Sequence, residues 1–438
     1  MAGPKAPEAR APGRVRLGVL GCGNVGAAFV GLVDAGAEEI AARSGVVLEV
    51  AKVAVRDRSR QRPIELAPGR VSNDAAQLVR SDDVDLVVEL IGGIEPARSL
   101  VLDALASGKP VVTANKELMA TAGAELLAAA ELAGVDLYFE ASVAGAIPLL
   151  RLLADSLGGE RIDRVMGIVN GTTNYVLTKM SDEGSTYADA LSQAQLLGYA
   201  EADPSADVEG HDARAKAAIL AGIAFDADVT AADVYREGIS GVGPDDIDFA
   251  HRLGYEVKLL AVAERVPAGI TVRVHPAMVP RDHPLATVRG AFNAVFIEGA
   301  AAGELMCYGR GAGGLPTASA VLGDVLAAAH HLEDGVRSRH SRRERVQLRP
   351  MSELRMQYYL TLDVADRPGV LAAVARIFGE HRVSIRSMEQ VGLGGEARLV
   401  FITHTALEAD VQATLVALAD LDAVERVGGL LRVIGPEP

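Results

Sequence analysis

Val15-Arg16-Leu17-Gly18-Val19-Leu20-Gly21-Cys22-Gly23-Asn24-Val25-Gly26 is an apolar run that ends in a glycine-rich turn, and a stretch with helical spacing follows from Ala27 to Ile40. The pattern Gly-x-Gly-x-x-Gly is weak alone and gains meaning from this setting of strand, tight turn and helix. Gly21 permits the turn, Gly23 lets the backbone approach a pyrophosphate, and Gly26 allows close helix packing. Asn24 and Val25 open the helix, where unpaired N–H groups and the positive dipole end favour phosphate. A tight turn with no ligand is the competing reading.

Outward from this stretch, short β-rich runs at Val46 to Val55, Val84 to Leu90, Pro110 to Thr113 and Leu137 to Glu140 alternate with helical segments such as Ala97 to Ser107 and Glu117 to Ala133. Such alternation predicts an α/β fold, with a parallel sheet covered by helices and a Rossmann-type dinucleotide-binding domain over residues 15–140. The end of its second strand selects the ribose form, an acid for a free 2′-hydroxyl and an arginine for a 2′-phosphate. Here both types occur, in Arg56-Asp57-Arg58. A guanidinium matches phosphate geometry, so NADPH is the expected cofactor, with NADH left open. Ile91-Gly92-Gly93 ends the strand at Glu89, its glycines small enough for backbone to lie beside a cofactor, although an ordinary loop reads the same way.

After Gly145 the character changes. A long helix (Ile147 to Leu157), strands at Arg164 to Val169, Val257 to Glu264, Thr271 to Pro276 and Ala294 to Glu298, and a helix from Ala213 to Ala221 predict an α+β substrate and dimerisation domain over 141–315. The Ala-rich helix 316–331 would return to the first domain. Residues 336–354, rich in arginine, read as a linker. From 356 to 438 the order is βαββαβ, a ferredoxin-like module of about 80 residues. Residues 1–14 read as a disordered tail.

Composition narrows the function. The 438 residues are 49% apolar, enough for two or three cores, and carry a formal charge of -15, which disfavours a nucleic-acid partner. The two cysteines, Cys22 and Cys307, have no paired spacing, so neither a disulfide framework nor a thiolate metal site is expected. No apolar run reaches the ~20 residues that span a bilayer. A soluble protein of the reducing cytoplasm, with no membrane partner, is the reading.

The densest polar stretch runs from Gly198 to Lys216 and includes Glu201, Asp207, Glu209 and Asp212. A solvated loop is its bland interpretation. However, Asp212 and Lys216 stand four residues apart on an apolar helix and share a face. A surface ion pair of that kind contributes only ~0.3–0.5 kcal/mol. Partly desolvated, the same lysine could exchange a proton with a carbonyl oxygen during hydride transfer. Four acids facing a substrate would suit one bearing an ammonium group. Lys116, after the strand Val111-Val112-Thr113, stands at the carboxyl edge of the sheet, where open α/β sheets bind ligands.

The motif Ala194-x-x-x-Gly198-Tyr199-Ala200 through Asp203-Pro204, Asp207-Val208-x-Gly210-x-Asp212-x-x-x-Lys216 resembles the signature of the homoserine dehydrogenase family. The stretches Val111 to Lys116, Phe139 to Val143, Gly167 to Tyr175 and Gly309 to Ala320 are similar to it as well. The resemblance implies reversible reduction of L-aspartate 4-semialdehyde to L-homoserine on the route to threonine and methionine. It implies Lys216 as proton donor, Asp212 as its orienting partner, Glu201 and Asp207 as substrate ligands, Lys116 as a second catalytic lysine, and Gly311 against the cofactor. It further implies a sodium-type ion on backbone carbonyls of Glu140, Val143, Gly145 and Ile147, although Ala144-Gly145-Ala146 is poorer in glycine than the family's usual loop. A site between the first two domains, and a homodimer or homotetramer, are expected. The terminal module, with Asp366-Arg367-Pro368-Gly369-Val370-Leu371 at its first turn, resembles an ACT domain. An amino-acid effector at Asp366 and Gly369, threonine by pathway logic, is one reading, and a dimerisation module that binds nothing is the other.

Overall fold

The computed structural model describes residues 13–336, 346–392, 394 and 396–435. The chain divides into two compact units, Met1–Ser156 with Arg310–Arg343, and Leu157–Gly309 with Glu344–Pro438. Within the first, six strands form one parallel sheet: β1 (Gly13–Leu20), β2 (Val46–Ala54), β3 (Val71–Ser72), β4 (Leu86–Glu89), β5 (Val111–Thr113) and β6 (Leu137–Tyr138). Their order is β3-β2-β1-β4-β5-β6, so the chain moves outward in opposite directions from β1 and β4. That reversal opens a crevice at the carboxyl ends of the strands. Leu17 and Val19 of β1 pack with Phe29, Val30 and Val33 of the helix Asn24–Ala35, and Val321, Val325 and Ala329 of the helix Gly314–Asp334 complete the same core.

Four expectations change in detail. Residues 1–12 of the expected tail lie outside the described residues, while Gly13 and Arg14 already pair with Val46 and Val47. The first unit reaches Ser156 rather than Glu140 because the Glu140 carboxylate accepts from the N–H groups of Leu149, Leu150 and Arg151 at 2.6–2.8 Å. The Glu140 N–H in turn donates to Asp324 on the returning helix at 2.8 Å. No long helix covers 147–157. Ala144 and Gly145 are left-handed at φ +56° and +57°, 147–149 stay outside helix, and the helical stretch is confined to 150–156, of which Leu152–Ser156 is π-type. Of the expected linker, 337–345 lies outside the described residues, and the rest is tied down: Ile270 N–H donates to Gln347 O at 3.0 Å and Arg349 N–H to Ile270 O at 2.8 Å.

In the second unit one sheet runs through eleven strands: β7 (Ile162–Ile168), β8 (Tyr235–Arg236), β9 (Tyr255–Val266), β10 (Gly269–Pro280), β11 (Phe292–Gly299), β12 (Gly303–Arg310), β13 (Arg355–Ala365), β14 (Ile385–Gly392), β15 (Glu396–Thr403), β16 (Ala406–Leu407) and β17 (Val424–Val433). The main path is β12-β11-β7-β9-β10-β17-β13-β15-β14. The terminal βαββαβ module supplies its last four strands and packs them on the helices Val370–Glu380 and Glu408–Ala419 around Leu360, Phe378, Phe401 and Leu418. It is continuous with the preceding strands through β10 and β17, where Ala277 pairs Arg432 and Met278 pairs Val433 in parallel.

One buried cation steadies the helix Gly171–Glu183. Lys258 on β9 is 2% exposed and donates to Val288 O at 2.6 Å and Asn174 Oδ1 at 3.3 Å. Burial pulls its ammonium down to about 8 from 10.5. Between those two values the unfolded chain holds a proton that the folded chain lacks, so this group adds stability as pH rises and loses it as pH falls through that window. The difference in unfolding free energy between the wild type and Lys258→Met, followed by urea titration, should therefore move toward the wild type between about pH 8 and 10.5. A pH-independent difference would contradict this.

Candidate active site

The motif residues of the second unit converge at the exit of β7. Just beyond that strand, the Asn170 side chain caps the helix Gly171–Glu183 by accepting from Thr173 N–H at 2.9 Å, a bond worth about 1 kcal/mol. The Asn170 amide nitrogen donates to Asp207 Oδ1 at 2.6 Å and to Asp212 Oδ2 at 2.9 Å. Asp212 Oδ2 also receives the Lys216 ammonium at 2.6 Å, and that ammonium donates to Val169 O at 2.7 Å. Asp212 and Lys216 are 6% and 8% exposed, which removes the pair from the solvated surface class. Thr172 Oγ1 lies 2.6 Å from Tyr199 O and 3.1 Å from Asp207 Oδ2. Asp207, Asp212 and Lys216 are thus brought together. Glu201 is exposed, and its carbonyl accepts from Gln195 at 3.0 Å. Sequence reasoning quoted Asn170 and Thr172 within a motif but gave them no part in the site. Their only sequence signal is the cap pattern Asn170-Gly171-Thr172-Thr173.

The backbone explains why the helix that carries Asp212 and Lys216 starts where it does. Gly210 is left-handed at φ +77°, which ends the short helix Ser205–Val208 and starts the helix His211–Ala224. Asp212 therefore falls in the first turn, where a carboxylate is favoured by the dipole, and Lys216 lies one turn along.

In the first unit the glycine turn has the shape a dinucleotide needs. A Cβ on Gly21 would stand 2.6 Å from Leu90 O, and one on Gly26 would stand 2.4 Å from Gly21 O, so both positions exclude a side chain. Gly23 has nothing within 4 Å of its would-be Cβ, and as N-cap of Asn24–Ala35 it brings no side-chain cap. The helix start is therefore open to a phosphate. Next to it, Glu89 is fully buried and accepts from Ile91 N–H (2.7 Å), Gly92 N–H (3.2 Å) and Thr113 Oγ1 (2.5 Å). Asn115 donates to Gly93 O at 2.6 Å and caps the helix Lys116–Ala133, which makes half-buried Lys116 its first residue. Glu89, Thr113 and Asn115 thus hold the loop after β4 against the turn after β5. None of the three was expected at the site.

Asp57 is exposed. Its carboxylate accepts from the Ser59 hydroxyl at 2.6 Å and the Ser59 N–H at 2.8 Å, which hold it below the usual carboxylate range. Arg56 is exposed, Arg58 donates to Val71 O at 3.1 Å, and Arg58, Arg60 and Arg62 line a cavity of about 510 Å³. Gly311 lies against Gly145, whose Cβ would meet the Gly311 carbonyl carbon at 2.5 Å. The stretch that holds Val143, Gly145 and Ile147 lies outside helix and strand, and its carbonyl oxygens are of the hard type a sodium-like ion takes. The Glu140 carboxylate is spent on three N–H groups, and its carbonyl accepts from Val143 N–H at 3.3 Å.

Comparison with known proteins agrees with this geometry. Residues 148–326 match the family model described as homoserine dehydrogenase, 21–140 the model of the homoserine dehydrogenase NAD-binding domain, and 358–423 the ACT domain. A homoserine dehydrogenase of Mycobacterium tuberculosis is 51% identical over 435 residues, covering 96% of this chain and 98% of the relative. The chain belongs to the homoserine dehydrogenase family. It is an oxidoreductase with a nicotinamide-binding Rossmann domain and a terminal ACT domain. A homoserine dehydrogenase of Corynebacterium glutamicum is 48% identical over 437 residues, covering 98% of each chain. Among solved structures, a homoserine dehydrogenase from Thiobacillus denitrificans superposes with a TM-score of 0.90 at 41% identity, covering 96% of this chain and 98% of that one. A hyperthermophilic archaeal homoserine dehydrogenase in complex with NADPH superposes with a TM-score of 0.60 at 29% identity, over 72% of this chain and 98% of that one. Among the described residues no helix is long and apolar enough to cross a membrane.

Gly26→Ala would push a methyl group into the Gly21 carbonyl and displace the phosphate-binding turn. NADPH affinity, read by fluorescence titration, is expected to fall at least about tenfold, the equivalent of 1.4 kcal/mol. Unaltered affinity would contradict the placement of the cofactor on this turn.

Proposed function

We propose that the protein interconverts L-aspartate 4-semialdehyde and L-homoserine with NADPH as the preferred cofactor and NADH as a poorer one. The observation that carries this reading is the buried Asp212–Lys216 pair, bridged by Asn170 to Asp207. A bound nicotinamide supplies the hydride to the aldehyde carbon. Lys216 supplies the proton to the aldehyde oxygen as charge develops there, a contribution of about 10²–10⁴ in rate for general acid catalysis. Asp212 aims the ammonium, Asp207 and Glu201 take the substrate ammonium, and Lys116 steadies substrate and nicotinamide. Gly21, Gly23, Asn24, Val25 and Gly26 hold the pyrophosphate, Ile91, Gly92 and Gly311 border the cofactor, and Arg56 and Arg58 take the 2′-phosphate. Support for NADPH is exposed Arg56 just past β2, whose guanidinium fork matches a 2′-phosphate. A sodium-type ion on the carbonyls of Glu140, Val143, Gly145 and Ile147 would brace that turn.

The terminal module is assigned an amino-acid effector, threonine by the logic of end-product control. Support comes from a cavity of about 390 Å³ lined by Asp366, Pro368 and Gly369 among others. Gly369 is left-handed at φ +90° and starts the helix Val370–Glu380 without a side-chain cap. Its free N–H groups suit a carboxylate and Asp366 an ammonium. A cytoplasmic homodimer or homotetramer completes the reading.

Lys216→Ala should lower the rate of NADPH oxidation with aspartate semialdehyde by about 10²–10⁴ while NADPH affinity stays within twofold or so of wild type. Turnover equal to wild type would remove Lys216 from the chemistry. For the effector, Asp366→Ala should abolish inhibition by threonine, and inhibition at an unchanged concentration would place any effector elsewhere.

A further inference from the structure

A segment that the catalytic reading leaves unused runs from Tyr235 to Ser240. It lies along the substrate-binding stretch: Ile239 N–H donates to Val208 O at 2.8 Å, the Arg236 guanidinium donates to Glu209 O, and the Ser240 hydroxyl donates to the Glu209 carboxylate. Contact is closest at Gly238, where a Cβ would stand 2.3 Å from Val208 O. The other side of this strap is bound to the terminal module. Glu237 pairs with the Arg432 guanidinium, which also meets Glu408 Oε1 at 2.7 Å, and Tyr358 donates to Glu408 Oε2 at 2.8 Å. Arg432 is 0% exposed and Glu408 3% exposed. A guanidinium buried this deeply between two carboxylates is costly to desolvate, and such a group is seldom the most stable filling of its volume. Its geometric specificity is what it offers: a planar fork with donors in fixed directions, one arm on the module and one on the strap.

We propose that Arg432 is a positioning residue for the substrate site, acting through Glu237 and the strap 235–240 to fix Asp207–Gly210, so that the terminal module is a structural part of substrate binding. The proposal rests on the reading of Asp207 as a substrate ligand. Neither Arg432 nor Glu237 touches the reacting atoms, so their loss should weaken capture of the substrate more than the chemical step.

The test is steady-state kinetics on the full chain, with Glu237→Gln, Arg432→Met, Arg432→Lys and Asp207→Asn measured side by side. Glu237→Gln and Arg432→Met are each expected to raise KM for aspartate semialdehyde about tenfold, with kcat within about threefold and NADPH affinity unchanged. Arg432→Lys keeps the charge but loses the fork, and should recover only part of that loss. Should Arg432→Met prove insoluble through its unpaired Glu408, Glu237→Gln decides alone, since it leaves the Arg432–Glu408 pair in place. Raised KM in Asp207→Asn with wild-type KM in Glu237→Gln would overturn the positioning role while leaving the site intact. An unchanged KM in Asp207→Asn would instead overturn the underlying reading of the site.

Discussion

The side-chain amide of Asn170 has two protons, and both go to carboxylates, one to Asp207 and one to Asp212. Its oxygen is taken by the N–H of Thr173, so the group has little freedom left. Two like charges close together repel, and a shared donor offsets part of that repulsion. Asp212 in turn directs the Lys216 ammonium, which also donates to the Val169 carbonyl just past the strand that delivers Asn170. Loss of one partner from a buried pair of this type costs about 3–5 kcal/mol, far more than an exposed helical pair is worth. Hence the arrangement around Lys216 is stiff.

The nicotinamide side uses a different device. Its glycines exclude side chains where backbone meets backbone, and the helix start offers N–H groups with no competing cap. Buried Glu89 organises the neighbouring loops by accepting three hydrogen bonds, two of them from Ile91 and Gly92. Each unit therefore organises its own polar residues by local hydrogen bonds.

Much of this could be read from the sequence because the signals are local. Gly21 to Gly26 announces the parallel sheet, the alternation after Tyr358 announces the terminal module, and the spacing of Asp212 and Lys216 places them on one helix face. What escaped depends on distance along the chain. Asn170 is 37 and 42 residues from the acids it bridges, and no periodicity connects them. The joining of β10 to β17 rests on two residue pairs between segments more than 150 residues apart, so the terminal module reads as a separate body until the sheet is seen. The expected helix over 147–157 is cut to 150–156 by backbone that no periodicity shows: Ala144 and Gly145 are left-handed, and the Glu140 carboxylate takes the N–H groups of Leu149, Leu150 and Arg151 where the helix begins.

The account rests on Lys216 reaching the oxygen that gains the proton. A crystal structure of the full chain with NADP⁺ and L-homoserine bound measures this directly. The account predicts the homoserine hydroxyl within about 3 Å of Lys216 Nζ and its ammonium against Asp207, the reach that proton transfer requires. A hydroxyl held by Lys116 or by water, with Lys216 still closed on Asp212 and Val169 and out of reach, would contradict it.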